Sequence, residues 1–146
     1  TDPASHAYNK TERSRIMYAT HGHVYVYLVY GMYYCLNFTT EKNQPGAVLI
    51  RAVEPLSGIK NMKKRRQTEN ITNLCSGPGK LCQALGIDKK HNGVKLGTVI
   101  KVFDDGYRIE KIETSSRIGI KDALDLPWRF FVEGNEFVSQ KIKKTI

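Results

Sequence analysis

The stretch VYVYLVYGMYYCLNF, residues 24–38, decides the fold of this chain. It is rich in aromatic and β-branched residues, which favour strands, and Gly31 interrupts it near its middle. Two such runs on either side of a turn signal are typical of a β-hairpin. The stretch therefore predicts two antiparallel strands joined by a tight turn.

The alternation of side chains along the first strand separates its tyrosines. Tyr25 and Tyr27 share one face, whereas Tyr30 belongs to the other face and lies beside Gly31 at the turn. Three tyrosines on two faces cannot all enter one core, so some must project into a pocket or into solvent. At the tip, an aromatic residue is either a partly exposed packing residue or a wedge that separates base steps of DNA.

A strand and two helices are predicted directly after the hairpin. The apolar run AVLIRAV at 47–53 is typical of a buried strand. Apolar residues at three-residue spacing over 56–62, with basic residues between them, predict an amphipathic helix. A short helix is expected over 80–85, because a Gly/Pro turn precedes it and Gly86 stands where a C-cap belongs.

The two ends of the chain are predicted to be less regular. Residues 1–23 are polar and predict a loop with short turns. The runs TVIKVF at 98–103, YRIEKIET at 107–114 and WRFFV at 128–132 predict short strands. The mixture predicts a single α+β domain: a curved antiparallel β-sheet with a protruding hairpin, flanked by short helices.

Length and charge limit the classes of function. A chain of 146 residues with 40% hydrophobic residues can bury a core without disulfides or metals. Its 23 basic and 14 acidic residues leave a net charge of +9, which favours a polyanionic partner, nucleic acid or an acidic membrane surface. No stretch approaches the roughly 20 apolar residues of a membrane span, and nothing near residue 1 is typical of a signal peptide.

Cysteines and histidines do not predict a metal centre. Three cysteines are an odd number without paired CxxC spacing, which predicts reduced core thiols and neither a disulfide framework nor a zinc site. The histidines His6, His21 and His23 lack the spacing of metal ligands. No metal or cofactor is therefore expected.

Four polar features have both a structural and a functional interpretation. Arg51 within an apolar run needs either an ion pair or a wet cleft. Asn37, among apolar neighbours, needs partners for its amide. The segment SGPGK at 76–80 is either a plain turn before a helix or a phosphate contact through backbone N–H groups and Lys80. The basic run KKRR at 63–66 is more often a solvated helix face than a binding patch.

Five blocks, taken in order, resemble the 3-methyladenine (alkyladenine) DNA glycosylase family. The resemblance continues through SRIGI at 116–120 and PWRFFVEGN at 127–135, so it covers nearly the whole chain. It implies a monofunctional base-excision-repair enzyme that flips a damaged purine from duplex DNA and hydrolyses its N-glycosidic bond with an activated water. The five blocks are DPASHAY at 2–8, TERSRIMY at 11–18, YVYLVYGMYYCLN at 25–37, AVLIRAVEP at 47–55 and SGPGKLCQALGI at 76–87.

The resemblance also implies roles for residues of the substrate pocket. Tyr27 and His6 would sandwich the flipped base between two flat rings. Asn37 would shape the pocket and reject the amino group of guanine. Arg51 would help to hold the catalytic water.

Further roles concern contacts with the DNA itself. Tyr30 would be the wedge that enters the minor groove and fills the gap in the base stack. Met17 and Met32 would lie against the minor groove near that wedge, and Tyr33 would also contact the DNA. Lys80 would contact a phosphate.

One part of the family pattern falls outside the sequence. The family's general base is a glutamate in an ETEAY-type segment a few residues before the stretch that here is DPASH, so it would precede Thr1. Asp2 is the nearest carboxylate, but it occupies a different position of the pattern. Residues 1–146 are therefore expected to be the glycosylase domain without its N-terminal part. Since general-base assistance is worth about 10²–10⁴-fold, this chain alone is expected to be nearly inactive.

The expected partner is double-stranded DNA with a damaged purine, bound by a monomer and without a membrane. A bacterial cytoplasm, at the nucleoid, is favoured over a nucleus, because KKRR is the only segment similar to a nuclear-localising signal. Two alternatives stay open. One is a non-catalytic module that binds damaged DNA, and the other is an RNA-binding β-protein that uses the same aromatic residues on an open sheet face.

Overall fold

A computed structural model describes residues 2–139 of the chain. Within that range, short helices combine with strands that pair only in the antiparallel sense, which confirms the α+β class. The α-helices are α1 (Arg15–Ala19), α2 (Ile59–Arg66) and α3 (Pro78–Leu85), and short 3₁₀ helices occupy Ile71–Asn73 and Lys89–His91. The strands are β1 (Val24–Val29), β2 (Tyr33–Thr39), β3 (Ala47–Leu49), β4 (Ile112–Ser115) and β5 (Arg129–Val132).

The predicted hairpin is confirmed as β1 and β2. The two strands pair from Val24 opposite Phe38 to Val29 opposite Tyr33. Met32 N–H donates to the Val29 carbonyl at 3.2 Å and closes the turn. Tyr30 and Gly31 both have positive φ, 53° and 68°. That conformation suits glycine but strains a tyrosine.

The core lies where residues 24–27 and 35–38, the hairpin root, meet α2 and α3. Helix α3 packs against β2 and against α2. A side chain at Gly79 would place its Cβ 3.1 Å from the ring of Tyr33, so glycine allows the start of α3 to approach the hairpin closely. The buried core residues are Val24, Val26, Leu36, Met62, Leu74, Cys75, Leu81, Cys82, Ala84 and Ile87.

The antiparallel strands are divided between two sheets. The first has the order β1-β2-β3, and the second consists of β4 and β5 alone. In the second sheet, Ile112 lies opposite Val132 and Ser115 opposite Arg129. The strand predicted over 128–132 is thus present, and the one predicted over 107–114 is shorter and begins only at Ile112.

Two predicted strands differ from the structure. The strand expected over 47–53 ends at Leu49, because Val53 N–H donates to the Cys75 carbonyl at 3.4 Å and not to β2. The run 98–103 forms no strand, and its apolar residues are largely exposed. Alternation alone therefore overestimates the extended structure here.

Two helices also differ from the sequence interpretation. Helix α1 lies within a segment predicted to be loop, and Ser14 supports its start by accepting a bond from Thr11 N–H at 2.8 Å. Helix α2 begins at Ile59 and not at Leu56, since Gly58 has a φ of 70°, outside the helical region. Within residues 2–139, no helix has the length and apolar character needed to cross a membrane.

Candidate functional site

Three aromatic side chains meet on one face of the hairpin root. His6, on the segment before α1, accepts or donates a hydrogen bond of 2.8 Å between its Nδ1 and the hydroxyl of Tyr25. Its ring lies edge to face on Tyr27, with centroids 4.5 Å apart and planes at 67°. Tyr25 and Tyr27 share this face of β1, and their ring centroids are 5.3 Å apart. The structure thus brings together the two rings predicted to hold a base.

Electrostatics keep this aromatic cluster neutral. Burial lowers the pKa of His6, and the positive charge of Arg13 acts in the same direction. Burial raises the pKa of Tyr25 to about 12 and also raises that of Tyr27 well above its ordinary value. At neutral pH the cluster is therefore three uncharged rings, which can stack on a flat, electron-poor or cationic ligand.

Asn37 is buried beside the cluster, opposite Tyr25 in the β1–β2 register. Its side-chain N–H₂ group donates to the Tyr25 carbonyl at 3.1 Å and to the Cys35 carbonyl at 3.4 Å. These bonds satisfy the buried nitrogen, as the structural interpretation requires. Any contact with a ligand is left to the side-chain oxygen.

Arg51 follows β3 and is partly buried near Tyr27 and Cys35. Its Nη1 donates to the Ile118 carbonyl at 3.4 Å, and its buried Nε has no hydrogen-bond partner within residues 2–139. Burial lowers its pKa, and the positive charge of Arg129 lowers it further. Among the described residues Arg51 forms no ion pair, so the structural ion pair that was one expectation for it is not seen there.

The turn of the hairpin carries the most exposed aromatic residue of the chain's first half. Tyr30 is 83% exposed, and Met32 and Tyr33 beside it are 66% and 49% exposed. Met17 does not join them, because it is 4% exposed and belongs to the buried face of α1. The predicted minor-groove contact of Met17 therefore has no exposed side chain in this conformation to support it.

Lys80 lies in the first turn of α3, close to the hairpin. Its Nζ donates to the side-chain oxygen of Asn73, so it is partly occupied within the chain. Helix α3 begins at Pro78, two residues earlier than expected, and Gly86 caps it with a φ of 71° as predicted. The segment 76–80 is thus a real helix start, which suits either interpretation of it.

Two residues of the basic run 63–66, Arg65 and Arg66, have structural roles. Arg65 donates to the Ala84 carbonyl at 3.0 Å, near the end of α3. Arg66 donates to the Leu74 carbonyl at 3.1 Å and to the side chain of Gln83 at 2.6 Å. These guanidinium groups hold α2 against α3.

Sequence reasoning missed several residues around the aromatic cluster. A groove of about 560 Å³ runs beside β1 and α1, with Tyr25, Tyr27 and Arg13 in its wall. The basic segment TERSR was a signal for Arg13, and the face that Tyr25 shares with Tyr27 was a signal for Tyr25. No pattern in the sequence indicated the bidentate ion pair of Asp2 with Arg117, because the two residues are 115 positions apart.

The described residues contain no metal centre. Within 2–139, no group of three or more His, Cys, Asp or Glu side chains is arranged to hold an ion. All three cysteines, Cys35, Cys75 and Cys82, are buried free thiols. Burial raises the pKa of each thiol, to about 12 for Cys82, so they act as small core residues.

Comparison with known proteins gives one consistent result. The sequence model of a family described as Methylpurine-DNA glycosylase (MPG) matches residues 1–136. A protein of Alkaliphilus oremlandii is 46% identical over 155 residues, which cover 96% of this chain and 77% of the relative. A protein of Agrobacterium fabrum is 49% identical over 144 residues (97% and 73%), and one of Bradyrhizobium diazoefficiens 42% over 146 residues (99% and 73%). All three carry the name "Putative 3-methyladenine DNA glycosylase".

Proposed function

The chain belongs to the methylpurine-DNA glycosylase family, and on this premise we propose how its site recognises and excises a base. The family acts on N-glycosyl bonds of DNA in base-excision repair. We propose that the substrate is an alkylated or deaminated purine, of the 3-methyladenine or hypoxanthine type, flipped out of duplex DNA by a monofunctional enzyme. The observation that carries this proposal is the contact of His6 with Tyr27 on a face bordered by Asn37 and Arg51.

Stacking provides the binding energy in this proposal. His6 and Tyr27 are now in edge-to-face contact, so a flat base enters when the two rings separate and stack on its faces. Stacking on aromatic side chains is worth roughly 1–3 kcal/mol per base. Neutral rings accept a cationic alkylated purine without charge repulsion, and the lowered pKa of His6 keeps its ring neutral at pH 7.

Asn37 sets selectivity in this proposal by its position and its size. Its nitrogen is held by the strand backbone, so its oxygen is the group that a base would meet. Because that oxygen can accept a hydrogen bond from the amino group of guanine, hydrogen bonding does not exclude guanine. The exclusion must therefore be steric. The amino group of guanine would be pressed against the Asn37 side chain, which is held in place by its own hydrogen bonds to the backbone.

Tyr30 acts as the wedge in this proposal. It is exposed at the hairpin turn and is held with a positive φ, a strained conformation that natural proteins tend to retain at functional sites. An aromatic ring inserted from the minor groove replaces the stacking that the flipped base has lost. Met32 and Tyr33 would support it on the DNA, Lys80 would contact a phosphate, and Met17, on the buried face of α1, would only pack within the fold.

Arg51 would hold the attacking water, because its partly buried guanidinium lies near Tyr27 and its Nε has no hydrogen-bond partner within residues 2–139. The general base must be a carboxylate able to accept a proton. Asp2 is unsuited to this role, since Arg117 binds both of its oxygens and lowers its pKa. Glu12 is exposed and ion-paired with Arg15 at 3.8 Å. The family resemblance implies a glutamate in this role, in a segment that would precede Thr1, and we propose that residue as the general base.

Excision and binding assays on the 146-residue chain test the proposal. The substrate is a duplex with a single hypoxanthine, and the control is the same duplex with adenine. We expect preferential binding of the hypoxanthine duplex with turnover about 10²–10⁴-fold below that of a chain extended upstream by the glutamate segment. Equal excision by the two chains would contradict the missing base, and equal binding of both duplexes would contradict the pocket.

The alternative of a non-catalytic module predicts a different outcome. Such a module would bind the lesion but leave the N-glycosidic bond intact even in the extended chain.

The relatives named above come from bacteria, which supports a place in the bacterial cytoplasm at the nucleoid. A single base flipped by a single hairpin needs no second subunit, so we propose a monomer.

A further inference from the structure

The ion pair between Asp2 and Arg117 joins two distant parts of the chain. Arg117 donates through Nη1 and Nη2 to the two carboxylate oxygens of Asp2, at 2.5 and 2.8 Å. The two side chains are only 14% and 18% exposed. A bidentate, largely buried pair of this kind is stronger and more directional than an exposed ion pair.

Arg117 is itself fixed by the later part of the chain. Its guanidinium carbon lies 5.3 Å from the ring centroid of Trp128, in the segment that leads into β5. Its Nη2 also donates to the Ala123 carbonyl at 3.4 Å. Arg117 is therefore a fixed anchor to which Asp2 attaches.

Asp2 starts the turn that carries His6. The Asp2 carboxylate accepts from Ala4 N–H at 3.0 Å, and the Asp2 carbonyl accepts from Ser5 N–H at 3.0 Å. The Ser5 hydroxyl in turn accepts from Ala7 N–H at 3.1 Å, so the backbone on both sides of His6 is held in a turn. The carboxylate that binds Arg117 thus also orders the backbone leading to His6.

The segment 2–8 has few other hydrogen bonds or ring contacts with the rest of the described chain. It joins neither sheet, and Tyr18 donates its hydroxyl to the Ala7 carbonyl at 2.5 Å. The remaining attachment is His6 itself, through the hydroxyl of Tyr25 and the ring of Tyr27. The position of His6 therefore depends on the Asp2 end of the segment being held.

We propose that Asp2 and Arg117 form a positioning pair that sets His6 against Tyr27 and thereby determines how well the site distinguishes a damaged base. This inference rests on the proposed function, in which His6 and Tyr27 stack on the flipped base. Asp2 has no contact with the base in this arrangement. It acts through the turn, so its loss weakens discrimination and not general affinity for DNA.

The ratio of two dissociation constants tests the positioning pair. The 146-residue chain is measured on a duplex with one hypoxanthine and on the same duplex with adenine. The ratio of the two constants does not depend on the fraction of folded protein, because that fraction weakens both equally. A variant that merely unfolds therefore leaves the ratio unchanged.

Asp2→Asn and Arg117→Lys are the informative variants. Each removes the bidentate pair, and we expect the ratio to fall by about fivefold, the lower end of the loss of one base-stacking contact. Glu69→Gln is the matched control, because it removes one negative charge from the ion pair of Lys63 and Glu69, on α2 and the turn after it. The control should keep the ratio of the unmodified chain.

A double-mutant cycle with His6→Ala shows whether the pair acts through His6. In the His6→Ala background, Asp2→Asn should change the ratio by less than about twofold, because the ring it positions is absent. An unchanged ratio in Asp2→Asn, or the same fivefold loss in the His6→Ala background, would overturn the positioning role. A ratio near one in the unmodified chain would overturn the proposed function itself, and with it this inference.

Discussion

The two ends of the β1–β2 hairpin have the same pairing but opposite surroundings. The hairpin root, residues 24–27 and 35–38, includes Val24 at 0% exposure, whereas the hairpin tip, residues 28–33, includes Tyr30 at 83%. The difference arises because α3 packs against β2. Of the hairpin residues, only root residues belong to the buried core that the hairpin shares with α2 and α3. The root therefore supports the fold, and the tip is left free to contact a partner.

The largest effect we expect is a loss of stability at the root. Leu36→Ala removes a side chain that is 4% exposed, which should lower the free energy of unfolding by about 2–5 kcal/mol. Leu28→Ala, the same substitution at a tip residue that is 42% exposed, should cost less than about 1 kcal/mol. Urea unfolding of both variants measures the difference. Equal losses would show that root and tip are not distinct.

The next effect is a loss of DNA binding at the tip. Tyr30→Ala should weaken binding of a hypoxanthine duplex by about 5- to 150-fold, the equivalent of roughly 1–3 kcal/mol of base stacking. Stability should not fall with it, and Tyr30→Gly should be at least as stable as Tyr30→Ala, since glycine relieves the positive φ. Fluorescence anisotropy and thermal melting measure the two quantities.

Tyr107→Ala is the matched control for the tip, because Tyr107 is a 75% exposed tyrosine outside the hairpin. Its affinity for the hypoxanthine duplex should remain within about twofold of the unmodified chain, as for most surface substitutions away from an interface. Near-normal binding and excision by a Tyr30→Ala variant would refute the wedge. An equal loss in both variants would show only a general dependence on exposed aromatic residues.

The hairpin could be predicted from the sequence because its signals are local. The aromatic and β-branched run, the glycine at its centre and the alternation of Tyr25 and Tyr27 against Tyr30 all act within a few residues. Helix α3 was predicted for the same reason, from its Gly/Pro start and from Gly86. The class of the fold and the exposed tip followed from these elements.

The rest depends on contacts between distant residues. The strand predicted over 47–53 ends at Leu49 because Val53 bonds to Cys75 instead of β2, which no alternation reveals. The surroundings of Arg51 and the pair of Asp2 with Arg117 depend on the loop after β4, far along the chain. Met17 was assigned to the DNA from the family pattern, and only the packing of α1 shows that it is buried. The local propensity of residues for helix or strand cannot predict such contacts.

Asn37 should affect both stability and selectivity, because it belongs to the root and borders the aromatic cluster. Asn37→Ser removes the bonds to the Tyr25 and Cys35 carbonyls, which should cost about 1 kcal/mol of stability. The smaller side chain should also relax the exclusion of guanine. Competition by guanine-containing and hypoxanthine-containing duplexes measures this change. A variant that is destabilised but equally selective would make Asn37 purely structural.

The smallest effect we expect is a pH dependence at the aromatic cluster, where His6 contacts the root residues Tyr25 and Tyr27. Burial, with Arg13, lowers the pKa of His6 below its ordinary 6.5, and its other neighbours are the neutral Tyr25 and Tyr27. Below pH 6.5 the unfolded chain therefore binds a proton that the folded chain resists, so stability falls as the pH drops through the lowered pKa.

A protonated His6 would also repel a cationic alkylated purine. We expect affinity for such a lesion, relative to the undamaged duplex, to decline between pH 7 and pH 5. His6→Gln should abolish the decline, and His21→Gln, on an exposed loop, should preserve it. A decline that persists in His6→Gln would assign the titration to another group.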